Sequence, residues 1–225
     1  MYRQVPNAIT VSRLVLAVVF FGLLGFYQYE GRGDPTLLNI AFVVYLVALV
    51  SDFLDGYLAR KWQVISRFGR IVDPFVDKIL VLGGFAFLAG KNFIIPATAP
   101  GHEGGGMVVK TITGVAPGIV VVLIARELLV TTLRSISEGG GKDFSAALSG
   151  KLKMVFQSVT ILVILAYVNY RGWMLDHPPL ETYARLLRDV CIWGTVLITV
   201  FSGWLYVHRA IRMSRDTENE AKGSA

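Results

Sequence analysis

The sequence predicts an all-α integral membrane protein, a bundle of six transmembrane helices with both termini in the cytosol. Three observations lead there. Of 225 residues, 54% are hydrophobic and only 17% charged, whereas a soluble domain carries about 25% charged residues. The apolar residues gather into segments near the roughly 20 residues needed to cross a bilayer, and the stretch from Val190 to Val207 holds no charged side chain. Basic residues, finally, collect at one end of alternate segments.

Taken in order, the predicted spans are 8–29, 36–59, 71–95, 111–136, 150–170 and 186–208. The first has a polar start, with Asn7 just before it and Thr10 and Arg13 within it, and lacks a signal-peptide cleavage pattern. The second opens after Gly33-Asp34-Pro35 and closes on Arg60-Lys61. A short basic loop with Ser66, Arg67 and Arg70 leads into the third. Residues 96–118, with Pro96, Pro100 and Gly104-Gly105-Gly106, read as a flexible non-cytosolic excursion before the fourth. Gly139-Gly140-Gly141 separates the fourth from the fifth. The predicted domains are therefore one transmembrane unit, 1–213, and a polar, disordered tail, 214–225.

With the N-terminus cytosolic, Arg60, Lys61, Arg67, Arg70, Arg134, Lys151, Arg209 and Arg212 fall on the cytosolic side. Arg32, Lys91, Lys110, Arg171, Arg185 and Arg188 fall opposite. That asymmetry obeys the positive-inside rule. It also accounts for the net charge of +6 as membrane orientation, with no nucleic-acid partner implied. The single cysteine, Cys191, excludes an intrachain disulfide. His102, His177 and His208 are too scattered to read as ligands. Tyr27, Tyr29, Trp173, Trp204 and Tyr206 fit an interfacial belt.

Carboxylates inside an apolar segment are costly and persist where they pair, hold an ion or do chemistry. Here the second and third spans carry Asp52-x2-Asp55-Gly56-x2-Ala59-Arg60-x8-Gly69-x3-Asp73-x3-Asp77. The i,i+3 and i,i+4 spacings put each acid pair on one helix face, and the topology brings both pairs to the cytosolic side. Four such oxygen ligands suit Mg²⁺ or Mn²⁺. Two divalent ions about 3.5–4 Å apart can clamp a diphosphate. Gly56 and Gly69 leave room for close substrate approach, and Arg60 offers a planar fork to phosphate. Taken one at a time, the pairs could be salt bridges with Arg60, Arg67, Arg70 or Lys78.

All eight fixed positions of this motif resemble the signature of the CDP-alcohol phosphotransferases, and the likeness extends over about residues 5–170. The resemblance implies that Asp52, Asp55, Asp73 and Asp77 hold two divalent ions, Asp77 also serving as catalytic base. It implies that Gly56, Ala59, Arg60, Ser66 and Gly69, with Asn7 and Thr10, bind CDP-diacylglycerol. The reaction implied is attack by an alcohol on the lipid-side phosphorus, with CMP expelled. A homodimer in the bacterial inner membrane, its site facing the cytosol among membrane lipids, is implied as well.

Two further stretches narrow the family. Asn7-x2-Thr10-x2-Arg13 resembles the opening of bacterial phosphatidylglycerophosphate synthases. Arg126-Glu127 with Arg134, followed by Gly150-Lys151-Leu152-Lys153, resembles a later helix of theirs, although Met154 stands where they usually have threonine. Pro74 after Asp73 is also typical of that branch. Glycerol 3-phosphate is then the expected acceptor, and Arg126, Arg134 and Lys151 the residues that would neutralise its phosphate. A sister transferase using inositol phosphate, phosphatidylglycerol or serine is the nearest alternative. A cation transporter would place its acids near the bilayer midplane on broken helices. An isoprenoid-diphosphate enzyme would show an Asp-Asp-x2-Asp cluster, which is absent.

Overall fold

The computed structural model describes the backbone over 5–29, 33–62, 67–94, 111–139 and 148–223, and side chains over 11–29, 33–52, 75–94, 111–135 and 152–212. These residues build six α-helices: α1 (Val5–Phe26), α2 (Pro35–Trp62), α3 (Arg67–Leu88), α4 (Pro117–Gly139), α5 (Leu148–Leu175) and α6 (Pro178–Gly223). Prolines open α2, α4 and α6, where their missing N–H costs nothing and their fixed φ suits the first turn. Asp34 precedes Pro35, and its Oδ1 accepts a hydrogen bond from the Thr36 N–H at 2.8 Å, a side-chain cap for α2.

Helix α1 packs on α2 and α3, α5 on α2, α3 and α6, and α4 on α6 and α3. The shared core contains Phe20, Leu24, Tyr45, Phe85, Leu123 and Ile161, all fully buried. The outer faces are apolar too: Val18, Val121, Leu197 and Phe201 are each more than 60% exposed. A helix apolar on every side is suited to a hydrocarbon solvent. Among the described residues three stretches are long and apolar enough to cross a membrane: Pro35–Asp52, Leu152–Leu175 and Pro178–Arg212. A shorter apolar stretch, Val11–Phe26, lies in α1. The start of α3 carries Arg67, Arg70, Asp73, Asp77 and Lys78, which dilutes its hydropathy.

Two expectations shift. Residues 111–116, assigned above to the fourth span, are not helical. Thr111 bridges Ile94, Thr113 Oγ1 donates to Leu88 O at 2.7 Å, and Gly114 turns the chain at φ 74°. That left-handed backbone and the following Pro117 defer the helix start. Helix α6 begins at Pro178 rather than 186, because Glu181 and Arg185 pair at i,i+4 (2.7 Å). Its helical backbone is described through Gly223. The sequence supports continuation, since Arg212/Asp216 and Glu218/Lys222 are spaced i,i+4.

The end of the bundle formed by the C-termini of α1, α3 and α5 and the N-terminus of α6 is tied by polar contacts. Asn92 donates to Leu24 O and Gly25 O, both at 3.0 Å. Arg188 donates to Ile112 O at 2.7 Å and lies over the Tyr167 ring. Of the expected aromatic belt, Trp173 and Trp204 are exposed, whereas Tyr27 and Tyr206 are buried at 3%. His177 and His208 are exposed beside Trp173 and Trp204.

Candidate active site

The opposite end of the bundle carries the acids. Arg13, on α1, is 1% exposed, an unusual place for a guanidinium unless it is paired. Its NH1 lies 2.9 Å from Asp52 Oδ1 on α2, and its NH2 donates to Asp77 Oδ1 on α3. Carboxylates from two helices thus converge on one cation from a third. Asp77 is the more enclosed, its side chain 16% exposed against 38% for Asp52. Breaking such an ion triad leaves buried charge uncompensated, which costs several kcal/mol when fully buried.

The remaining acids follow from helix period. Asp55 stands one turn beyond Asp52 on α2, and Asp73 one turn before Asp77 on α3. Gly56, Ala59 and Arg60 continue α2, Gly69 lies in the first turn of α3, and Asn7 and Thr10 precede Arg13 on α1. The side chains of all these residues lie outside the described set, and Ser66 lies outside the described residues altogether.

A second polar cluster centres on Glu127 of α4. Its Oε2 accepts from Lys153 Nζ on α5, and from Arg126 at 3.1 Å. Its Oε1 lies 3.6 Å from Lys78 Nζ on α3. Lys78 also donates to Thr131 Oγ1 at 2.8 Å, and Thr131 in turn donates to the Glu127 carbonyl at 2.8 Å. Arg126 reaches across to Ser202 Oγ on α6 at 2.9 Å and lies over the Tyr206 ring. Gly203 permits this crossing, because a Cβ there would stand 3.1 Å from Arg126 Cγ.

Of the expected acceptor residues, Arg126 is therefore already engaged with α6 and with Glu127. Arg134 is half-buried, and its Nε is enclosed without a hydrogen-bond partner. Lys151 is placed on α5, two positions before Lys153, with its side chain outside the described set. Sequence reasoning passed over Arg13, Lys78, Glu127 and Lys153 as site residues. The signal was present for Glu127: a carboxylate within the apolar run 119–130 falls under the same rule that drew attention to the aspartates.

The comparisons with known proteins bear on this arrangement. A family model described as CDP-alcohol phosphatidyltransferase matches residues 3–201, which takes in the charged residues of both clusters. The chain belongs to the CDP-alcohol phosphatidyltransferase family. Among the relatives of this family member is a Bacillus subtilis protein named CDP-diacylglycerol–glycerol-3-phosphate 3-phosphatidyltransferase. The two are 27% identical over 209 residues, covering 90% of this chain and 93% of the relative. A Yersinia enterocolitica protein of the same name is 27% identical over 212 residues, covering 93% and 96%. One from Mycoplasma pneumoniae is 28% identical over 173 residues, covering 72% and 67%. As a member, the chain is a transferase of phosphatidyl groups.

Whether the acids of this family member suit a metal can be judged on Arg13. Among the described residues no three His, Cys, Asp or Glu side chains cluster, but Asp52 and Asp77 already share one cation across two helices. The guanidinium stands in for positive charge at a place where hard oxygen donors face each other. The donor type fits a divalent ion.

Proposed function

We propose that the protein transfers the phosphatidyl group of CDP-diacylglycerol to glycerol 3-phosphate, yielding phosphatidylglycerophosphate and CMP. The observation that carries this reading is the convergence of Asp52 and Asp77 on Arg13, with a cation-rich cluster on α3, α4 and α5 that begins at the next residue, Lys78. The relatives' shared name supports the choice of acceptor. Donor diphosphate and acceptor phosphate are both anionic, and each needs its own countercharge within a small space.

Asp52, Asp55, Asp73 and Asp77 are assigned to hold two divalent ions, Mg²⁺ or Mn²⁺. When bound, such ions neutralise diphosphate oxygens and stabilise the departing charge. Gly56, Ala59, Arg60, Ser66, Gly69, Asn7 and Thr10 are assigned to bind CDP-diacylglycerol, Arg60 through its phosphate oxygens. The acceptor hydroxyl attacks the lipid-side phosphorus, the bond from that phosphorus to the CMP oxygen breaks, and CMP departs. Asp77 takes the hydroxyl proton, because a neutral alcohol is a weak nucleophile. Arg13 bonds to Oδ1, so Oδ2 is the oxygen assigned to the proton. Arg126, Arg134 and Lys151 neutralise the acceptor phosphate.

The same reading has six spans, cytosolic termini and a cytosol-facing site in a bacterial inner membrane, with the enzyme a homodimer among membrane lipids. Its test is CMP release by purified protein across a panel of acceptors. Release with glycerol 3-phosphate, and little with inositol phosphate, serine or phosphatidylglycerol, is expected. Preference for one of the others would reassign the acceptor.

A further inference from the structure

Glu127 has three cationic neighbours drawn from three helices. Lys78 comes from α3, Arg126 from α4 itself and Lys153 from α5. A structural ion pair in a largely enclosed site is ordinarily neutral in sum, since surplus charge withdrawn from water is costly. Among the described residues this quartet is not neutral: three positive groups against one carboxylate leave a formal +2. The surplus is not hidden on every side. Lys153 is 3% exposed and the Arg126 side chain 9% exposed, but Lys78 is 36% exposed, and its looser contact with the carboxylate leaves its ammonium the freest of the three. Lys78 also follows Asp77 directly in sequence, so the quartet adjoins the residue assigned to accept the proton.

A phosphate monoester, with a second pKa near 6, carries close to two negative charges at neutral pH. Without the carboxylate, three cations in a poorly screened site would repel one another and spread apart. We propose that Glu127 is a positioning residue for acceptor selection: it gathers Lys78, Arg126 and Lys153 and trims their summed charge to match a phosphate monoester dianion. Thr131 completes the arrangement by fixing the Lys78 ammonium to the turn of α4 that follows Glu127. An acceptor alcohol lacking a phosphate leaves the surplus uncompensated and is disfavoured. The inference rests on the glycerol 3-phosphate reading.

The test is steady-state CMP release by the purified full-length protein in mixed micelles, with glycerol 3-phosphate and CDP-diacylglycerol varied separately. Glu127→Gln keeps the shape and removes the charge. Losing a charge-assisted contact should raise the KM for glycerol 3-phosphate by roughly tenfold, while the KM for CDP-diacylglycerol moves by less than about twofold. Glu127→Asp, with the charge restored on a shorter stem, should recover most of that loss. Glu127→Gln/Lys153→Met returns the formal sum to +2, so its loss should be no greater than that of Glu127→Gln alone, a non-additivity diagnostic of coupling. Should Glu127→Gln fail to accumulate in membranes, Thr131→Val carries the test, with an acceptor KM raised about two- to fourfold by loss of one hydrogen bond. An unchanged acceptor KM overturns the inference, as does a fall in kcat shared equally by both substrates with a lowered unfolding midpoint. Wild-type protein releasing no CMP with glycerol 3-phosphate overturns the acceptor reading itself.

Discussion

A single buried arginine sets the terms for the acids. Arg13 reaches two carboxylates because a guanidinium is a planar fork with five donors, whereas an ammonium is a point charge. Arg13→Lys should therefore keep one contact and lose the other, and turnover should fall by at least about tenfold for roughly 1.4 kcal/mol of misplacement. Arg13→Ala should also destabilise the fold, by about 2 kcal/mol once the exposure of Asp52 is discounted. Thermal unfolding in detergent, read beside CMP release, separates the two effects. For Asp77→Asn the expectation differs: the amide retains size but cannot take a proton. Its kcat should drop by about 10²–10⁴-fold with CDP-diacylglycerol binding largely kept, and equal loss of binding would make Asp77 a ligand only. That acids of α2 and α3 come together was legible in the sequence, because aspartates spaced i,i+3 and i,i+4 in apolar runs announce themselves. Arg13 was not, since its role depends on how α1 leans on α2 and α3, which spacing along one chain does not encode.

Among the elements, the helix starts were the more readable features and the helix extents the less. Asp34-Pro35-Thr36 is a cap motif, and it begins α2 at Pro35. The backbone hydrogen bond from Thr36 holds the Asp34 carboxyl below the usual carboxylate range. A lowered folded pKa means the stabilisation is present above the unfolded value, near 4, and is lost as the pH falls through the folded value. Acid below about pH 4 should thus weaken the α2 start, while Asp34→Asn, which keeps an acceptor oxygen, should remove that acid dependence. Unfolding midpoints between pH 6 and pH 3 make the comparison. The late start of α4 was hidden because 111–116 is apolar enough to pass for helix, and only Gly114 betrays the turn. Gly114→Ala forces a Cβ into left-handed backbone, at about 1–2 kcal/mol, and to within 3.1 Å of the Arg188 guanidinium. It should lower the unfolding midpoint and leave kcat per folded enzyme unchanged.

At the scale of the whole molecule, the ionised groups among the described residues sort towards the two ends, while a hydroxyl and amide network of Gln157, Thr160, Thr195 and Thr199 joins α5 to α6 between them. One end is stitched shut by Arg188, Asn92 and Thr113. The other carries Asp52, Asp77 and Glu127, where positive and negative groups face each other with charge left over. Chelation should abolish CMP release and a divalent ion should restore it. Activity that survives exhaustive chelation would argue against the metal assignment. Apolar segments and basic flanks foretold the bundle, but not the mutual engagement of α4 and α6 through Arg126, Ser202 and Tyr206, which needed three dimensions. The length of α6 carries a consequence of its own. Its 46 residues span about 69 Å at 1.5 Å each, against roughly 30 Å of hydrocarbon. A bilayer of that thickness covers less than half of it, so on the proposed orientation the helix is a mast that passes the polar end at Ser202 and continues into water. A fluorophore on its last turn would sit about 30 Å from the reacting groups, far enough to leave them undisturbed. It would be quenched from only one side of a sealed vesicle, reporting which way the enzyme faces.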